Sequence, residues 1–390
     1  MDRSEINTHA LGHEVKRRTA KRKRKEQMKR RDFIKKGAAG ALGTAFAGCS
    51  TTKPREIGKI PLWKELAPFT PRPRGGTMPM SELGNTGIKI SNFGFGSHIR
   101  AEMRTYDKQR EHIIHEAYDL GVNVFDVYDQ EQGVSQGGSY QYEPFGRQIK
   151  SINNDVLVSI SFRPYDGRTP EQELERDLRL FGRDHIDLVR VLRQPDDSMW
   201  ETLFRFKEKG HIRAVGAPIH DMKHADMLIG KVPIDFILFP YNFYHNICWL
   251  GEEEDDFDPL PTRLRANGIG VLTMKPFAGD YLSQPFIDIA KQVRKESEIS
   301  FTQAALRYVI NSGLKPASTL TGMYNLSNLY ENVGAYYRPE ITGEEKELLD
   351  DVRKAATQEA SAWLPEHYKW LENWASKKPI RDSEQNHKQV

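Results

Sequence analysis

The stretch 169–192, TPEQELERDLRLFGRDHIDLVRVL, holds a complete helix-and-strand unit. Thr169-Pro170 suits a helix N-cap followed by the first helical residue, and the segment 170–181 is amphipathic. After a short polar turn, 186–192 is a run of mostly branched apolar residues that is typical of a buried strand. The stretch therefore predicts an α-helix that leads directly into a buried β-strand.

The same alternation runs through the body of the chain. Eight strand-like runs occur, at 92–96, 122–126, 156–161, 186–192, 214–217, 236–240, 270–274 and 317–320, and amphipathic segments such as 109–120, 197–209 and 300–311 lie between them. Gly121, Gly210 and Gly313 suit helix C-caps. The pattern predicts an α/β protein of (β/α)8 TIM-barrel class. An open doubly wound sheet is the alternative, but 94–97 lacks the third glycine of a dinucleotide fingerprint.

Further elements flank the predicted barrel. A turn at 85–87 within 80–91 predicts an N-terminal β-hairpin that covers the barrel floor. Two extra C-terminal helices are predicted at 342–357 and 362–374. The predicted domains are a signal segment at 1–49, a flexible tether at 50–76, the barrel at 77–375 and a disordered tail at 376–390.

Composition limits the classes of function. The 390 residues are 38% hydrophobic and 28% charged, which excludes a multi-span membrane protein, and two cysteines exclude a disulfide scaffold or a four-cysteine zinc site. Residues 1–49 carry 14 Lys and Arg against 5 Asp and Glu, so the remaining residues carry 43 against 49. The positive charge therefore belongs to the leader, and we expect no nucleic-acid surface on the body.

The leader has three consecutive parts. Arg30-Arg31 lies in a cationic segment, 37–48 (GAAGALGTAFAG) is weakly apolar and too short to span a membrane, and Cys49 follows at once. The first part resembles a twin-arginine export signal and the end resembles a lipobox. We therefore expect a bacterial lipoprotein on the periplasmic side, with Cys49 as its membrane anchor. The alternative is a basic nucleic-acid-binding tail, which 16–25 would support.

Several short motifs along 80–335 resemble aldo-keto reductases. They are the hairpin, GVNVFD at 121–126, FGRQIK at 145–150, DHIDL at 184–188, PYN at 240–242, MKPFAG at 274–279, and Gly322-Met323 with Glu331-Asn332. Each motif is weak alone, but they occur in the family's order. The resemblance implies hydride transfer between a nicotinamide cofactor and a carbonyl or alcohol.

The resemblance also implies site residues. Asp126 matches the family's aspartate, whereas the positions of its Tyr, Lys and His fall on Glu131, Ser161 and Leu192. The loop between 126 and 146 is longer than usual and contains three tyrosines, Tyr128, Tyr140 and Tyr142. We predict an altered active site in which Tyr128 is the candidate proton donor. A pseudoenzyme that binds a small molecule or a partner protein is the alternative.

The cofactor implied by the resemblance is NADP or NAD. The adenine end is expected at Gly322, Met323, Asn328 and Asn332. At the nicotinamide end, the usual polar and aromatic contacts fall on Pro218-Ile219, Leu238 and Met274. Leucine cannot form a hydrogen bond with a carboxamide.

Strand alternation predicts one further site residue. Arg190 precedes Leu192 by two, so both side chains face the same side of the strand, and the family's His at that position faces the barrel interior. A charge inside a barrel must be paired, and Asp126 is the obvious partner. We therefore predict an Asp126–Arg190 ion pair at the barrel mouth. The alternative is a register shifted by one, with Arg190 facing the helices.

Other side chains near the predicted mouth suggest weaker possibilities. His98, His220 and His245 follow three strands, but no tight spacing indicates a metal site, and we predict none. An acidic loop at 252–258 is interpreted as a solvated lid. Tyr241, Tyr244 and Trp249 could stack on a flat ligand, although core packing is the commoner role of such aromatic residues. The expected partner is a small molecule.

Overall fold

The structure is a computed structural model. It describes residues 70–97, 107–129, 139–164, 167–191, 196–219, 222–244, 260–277, 280–294 and 298–363. All of them belong to the second of two compact units, Ile57–Val390. The predicted signal segment, the lipid anchor and the disordered tail lie outside the described residues.

The barrel is closed by eight parallel strands, which confirms the predicted TIM-barrel class. Its strands are β3 (Phe93–Gly96), β4 (Val124–Val127), β5 (Leu157–Phe162), β6 (Ile186–Val191), β7 (Ile212–Pro218), β8 (Phe236–Pro240), β9 (Gly270–Met274) and β10 (Ser318–Gly322). Strand β10 pairs with both β3 and β9, which closes the barrel. We call the end where these strands begin the floor and the end where they finish the mouth.

The helices form the outer layer. They are α1 (Asp107–Asp119), α2 (Tyr142–Gln148), α3 (Pro170–Phe181), α4 (Asp197–Glu208), α5 (Met222–Leu228), α6 (Leu260–Ala266), α7 (Asp280–Val293), α8 (Phe301–Ile310), α9 (Leu326–Tyr337) and α10 (Gly343–Trp363). The predicted start of α3 is confirmed, since Thr169 Oγ1 accepts from the Gln172 backbone N–H at 3.3 Å. The predicted cap at Gly313 is wrong, because α8 ends at Ile310 and its C-cap is Asn311.

A β-hairpin covers part of the barrel floor, as predicted. Strands β1 (Met80–Glu82) and β2 (Lys89–Ser91) pair antiparallel. Leu83, Ile88 and Ile90 of the hairpin are buried against inward-facing apolar residues at the strand starts. The Asn85 backbone N–H donates to the Gly268 carbonyl at 2.9 Å. Burial of these side chains closes the apolar interior from below.

Residues 70–79 form a strap on the outside of the barrel. The Thr70 backbone N–H donates to Ser327 Oγ at 3.2 Å, at the mouth end of α9. Farther along, Gly76 lies so close to the ring of Tyr337, at the floor end of α9, that a Cβ there would overlap the ring. The strap therefore runs from the mouth to the floor. Of the predicted tether at 50–76, residues 70–76 contact the barrel at Thr70 and Gly76, and 50–69 lie outside the described residues.

The C-terminal helix α10 runs in the opposite direction. Near its start, Glu345 is paired with Arg307 close to the floor end of α8. Eight residues later, Arg353 Nε donates to the Phe243 carbonyl at 2.9 Å, just beyond the mouth end of β8. The helix predicted at 342–357 is thus present and extends to Trp363, whereas the second predicted helix lies mostly outside the described residues. In the part of the chain that the structure describes, no helix has the length and apolar character needed to span a membrane.

Candidate active site

Asp126 and Arg190 form an ion pair inside the barrel near its mouth. Arg190 Nη2 donates to Asp126 Oδ2 at 3.0 Å, and Nη1 donates to Asp126 Oδ1. Ser159 Oγ donates to Asp126 Oδ1 at 2.6 Å and accepts from Arg190 Nη1 at 3.1 Å. The predicted ion pair is confirmed, and the outward register of Arg190 is wrong.

Strand register explains why these residues meet. Asp126 lies opposite Ser159, and Arg190 lies opposite Ser161. The intervening strand β5 therefore presents two small serines on its inward face, which leaves room for the long Arg190 side chain to reach across to β4. Ser159 was missed by sequence reasoning, although the alternation that selected Arg190 also places Ser159 inside.

Burial makes this pairing energetically necessary. Arg190 is 3% exposed and Asp126 is 7% exposed. A buried charge costs several kcal/mol unless it is paired and hydrogen-bonded. The bidentate contact satisfies both carboxylate oxygens, so the two side chains hold each other in a fixed orientation.

The three candidate tyrosines occupy different environments. Tyr142 is buried on α2, where its hydroxyl donates to the Ser161 carbonyl at 2.5 Å, and burial raises the pKa of its phenol well above its ordinary value. Tyr140 is 45% exposed. Tyr128 is half-buried and follows Asp126 by two residues. Of these three, Tyr128 lies nearest to Asp126 in sequence, and its role as proton donor stays a prediction.

The predicted cofactor loop joins β10 to α9 at the mouth. Gly322 is exposed at the end of β10, and Met323 and Asn332 are buried. Asn328 lies in the first turn of α9, where its backbone N–H donates to Asn325 Oδ1 at 2.7 Å and its Oδ1 accepts from Asn325 Nδ2 at 2.8 Å. Asn325 caps the helix and was missed by sequence reasoning, although asparagine just before an apolar run is a typical cap.

The expected nicotinamide contacts are apolar in this chain. Leu238 is 4% exposed, and it packs with the apolar residues of the barrel interior. The Ile219 backbone N–H donates a hydrogen bond to the Leu238 carbonyl at 2.8 Å. Pro218, Ile219, Leu238 and Met274 offer no side chain that could donate a hydrogen bond to a carboxamide. The described residues at these positions do not fit specific recognition of a carboxamide, and the adenine-end residues stay a prediction.

A cation lies between these two regions. Lys275 follows the last residue of β9, and Met274 is paired with Leu320 of the neighbouring strand β10. Lys275 has a φ of 57°, in the left-handed region that a non-glycine residue seldom adopts. Lys275 belongs to the MKPFAG motif at 274–279, and no role was predicted for it.

The remaining candidates fall into two groups, those outside the described residues and those in the core. His98, His220, His245, Trp249, Glu131, Leu192 and the acidic loop 252–258 lie outside the described residues. Tyr241 and Tyr244 are buried, and their rings pack against Phe239 and Phe286 respectively, which fits core packing. Within the described ranges, no group of three His, Cys, Asp or Glu is arranged to hold a metal ion.

Comparisons with known proteins agree with this fold. Residues 93–354 match the profile of the aldo/keto reductase family. The chain is 23% identical over 305 residues to L-galactose dehydrogenase of Arabidopsis thaliana, a match that covers 69% of this chain and 92% of that protein. Parallel strands closed into a barrel, with polar side chains inside the mouth, define a TIM-barrel protein with a candidate site. The family match covers more than half of the chain, and the protein belongs to the aldo/keto reductase family.

Two solved structures support the fold. Aldo-keto reductase AKR11C1 from Bacillus halodurans, in its holo form, superimposes with a TM-score of 0.56 at 19% identity, covering 70% of this chain and 96% of that chain. A putative aldo-keto reductase from Pseudomonas aeruginosa gives a TM-score of 0.50 at 19% identity and covers 68% and 97%. At these identities the likeness concerns the fold.

Proposed function

We propose that the protein is an oxidoreductase that transfers hydride between a nicotinamide dinucleotide and a carbonyl or alcohol substrate, with an altered set of catalytic groups. The observation that carries the proposal is the buried Asp126–Arg190 pair inside the mouth of an aldo/keto reductase barrel. It keeps a fixed cation beside the carboxylate although the family's lysine position is Ser161.

Two residues of the chain are proposed to stabilise charge and to exchange the proton. The bound cofactor supplies or accepts the hydride. Arg190 provides a positive charge where negative charge develops on the substrate oxygen, and a preorganised charge in a buried site stabilises that change strongly. Arginine cannot act as a proton donor near neutral pH, because its pKa exceeds about 12. Tyr128 is therefore proposed to exchange the proton with the substrate oxygen.

The dinucleotide is proposed to bind across the β9–β10 side of the mouth. Gly322, Met323, Asn328 and Asn332 would hold the adenine end, and Lys275, directly after β9, is proposed to approach a phosphate. The position where the family often carries an arginine that favours the 2′-phosphate is Tyr324. No residue at that position therefore favours NADP over NAD.

The proposal is tested with the purified full-length protein. After denaturation, the supernatant is examined for the absorbance of a released nicotinamide dinucleotide, and the native protein is assayed for NADH and NADPH oxidation with a panel of aldehydes and ketones. Tyr128→Phe is expected to lower kcat by about 100-fold or more, since general acid catalysis contributes 10²–10⁴-fold. Tyr140→Phe, in the same loop but exposed, is the matched control and should retain kcat within about twofold.

A second candidate function is a non-catalytic barrel that binds a small molecule or a partner protein. The apolar Leu238 and Ile219 at the expected carboxamide contact favour it. If the protein carries no bound dinucleotide and turns over no carbonyl in the panel, the oxidoreductase proposal is contradicted and this candidate is favoured.

We further propose that the protein works on the periplasmic side of a bacterial membrane. Arg30-Arg31 and Cys49 support export by the twin-arginine route followed by lipid attachment. That route carries folded proteins. Reduced nicotinamide is not recycled outside the cytoplasm, so an exported reductase needs a cofactor that is already bound when it leaves.

A further inference from the structure

A buried cluster of charges lies on α3, outside the barrel wall and near the mouth. Arg176 is its centre: Nη1 is 3.0 Å from Glu173 Oε1 and 2.9 Å from Asp177 Oδ1, and Nη2 is 3.1 Å from Asp129 Oδ2. All four side chains are almost fully buried. The aldo/keto reductase reaction proposed above does not use these groups, so their cost in desolvation requires another explanation.

Arg176 contacts both ends of one loop. Asp129 is the last described residue after β4, and Tyr142 is the first residue of α2. The Arg176 guanidinium lies 5.9 Å from the centroid of the Tyr142 ring, within the range of a cation–π contact. Ser139 fixes the second end as well, because its Oγ accepts from the Tyr142 backbone N–H at 2.9 Å. One arginine therefore contacts a residue at the start and a residue at the end of the segment between β4 and α2.

The contact with Asp129 determines the direction of its neighbour. Val127 packs in the apolar cluster that includes helix residues, and Asp129 accepts a hydrogen bond from Arg176 of α3. Both side chains therefore face the helix layer. Side chains alternate along an extended strand. Tyr128 is the first residue after β4 and lies between these two. We therefore infer that its side chain lies on the opposite side, the inward phase of Asp126.

We infer that Arg176 is a positioning residue for Tyr128, because its buried pairing with Asp129 fixes the backbone on which Tyr128 projects toward the Asp126–Arg190 pair. The inference rests on the proposed function, in which Tyr128 exchanges the proton. Arg176 itself does not touch the reacting atoms. Its effect on the reaction is therefore an effect on the placement of Tyr128.

The test uses full-length Arg176→Gln, Arg176→Lys and Asp129→Asn proteins. Arg176→Gln and Asp129→Asn are expected to lower kcat about 100-fold with KM for the dinucleotide unchanged, since a displacement of about 1 Å can cost that much. Arg176→Lys keeps the charge and should recover kcat to within about tenfold of the wild type. Arg205→Gln, which breaks the exposed 2.8 Å pair with Glu171, is the control and should leave kcat unchanged.

Hydrogen exchange separates this inference from the proposed function. In Asp129→Asn, the amides at 127–129 and 139–142 should exchange about tenfold faster, while those of β6 keep their wild-type rates. If Arg176→Gln does not fold, Asp129→Asn alone tests whether the Arg176–Asp129 pair positions Tyr128. Unchanged kcat and unchanged exchange in Asp129→Asn would overturn the inference. Absence of turnover in the wild type would contradict the proposed function alone, and the exchange rates would still decide the role of Arg176.

Discussion

Removing one member of the Asp126–Arg190 pair leaves an uncompensated charge inside the barrel. Asp126→Ala should therefore lower the free energy of unfolding by about 3–5 kcal/mol. A double variant with Asp126→Leu and Arg190→Met removes both charges and should recover most of that loss. Glu171→Ala, which breaks the exposed pair with Arg205, should cost at most about 1 kcal/mol. Urea unfolding of the four proteins measures these differences, and an Asp126→Ala protein as stable as wild type would contradict the buried pair.

Asp177 gives a prediction about pH. It is 1% exposed, Oδ2 has no hydrogen-bond partner among the described residues, and burial followed by the charge of Glu173 raises its pKa well above the ordinary value. A raised pKa means that the folded state holds the proton more tightly than the unfolded state. The contribution of Asp177 to stability is therefore greatest below about pH 4 and decreases as pH rises toward its folded pKa.

Asp177→Asn imitates the protonated acid and should remove this decrease. We expect the variant to have a higher Tm than wild type at neutral pH, because it avoids the cost of burying an ionised carboxyl group. The two proteins should converge below pH 4. Melting curves between pH 4 and pH 8 measure the difference. A constant difference across that range would show that Asp177 does not titrate as proposed.

The site could be predicted from sequence where alternation or a neighbouring charge determined the answer. Arg190 was assigned inward because strand periodicity and the need for a partner both pointed to Asp126. Arg176 gave no such signal, because its partners Asp129 and Tyr142 come from a loop whose path no periodicity specifies. Tyr142 shows the same limit: its burial depends on contacts with α3 and β5 that are distant in sequence.

At the scale of elements, the floor hairpin offers a matched pair of glycines. Gly84 has a φ of 54°, and a Cβ there would overlap backbone atoms of Gly268 and Gly270. Gly87 has a φ of 71°, but a Cβ there would meet nothing within 4 Å. Both substitutions by alanine incur left-handed strain of about 1–2 kcal/mol, whereas only Gly84→Ala must also displace the hairpin from β9.

Gly84→Ala should therefore be less stable than Gly87→Ala by about 2 kcal/mol or more, since overpacking costs about 1–3 kcal/mol and the backbone here cannot move aside. Chemical denaturation of the two variants supplies the comparison. Equal losses in the free energy of unfolding would contradict the close contact between Gly84 and the start of β9.

Elements were predicted well where local signals agreed. Strands β8 and β9 begin and end at the predicted residues. Pro240 marks the end of β8, and the turn before Gly270 marks the start of β9. The strap at 70–79 was not predicted, since prolines without periodicity resemble a linker. Its order comes from Ser327 and Tyr337, which are more than 250 residues away in sequence.

For the whole molecule, the export proposal makes a direct prediction. Replacing both Arg30 and Arg31 by lysine should retain the folded protein in the cytoplasm, because the paired arginines are the recognised feature of a twin-arginine signal. Fractionation of cells, followed by detection of the protein, measures its location. Cys49→Ala is the companion variant and should be exported but released from membranes. Unchanged delivery of the double-lysine protein would contradict this route.

The strap and α10 place both ends of the described domain on the same side of the barrel, and this determines how the protein can be immobilised. The strap begins at the mouth, and α10 passes the level of the mouth at Arg353 and continues to Trp363. Both ends of the described domain thus leave on the face that carries the candidate site, and the floor has neither. A fusion partner or support joined directly to either end would crowd substrate access. Immobilisation through Lys89→Cys, on the exposed side of the floor hairpin, would leave the mouth open to solution.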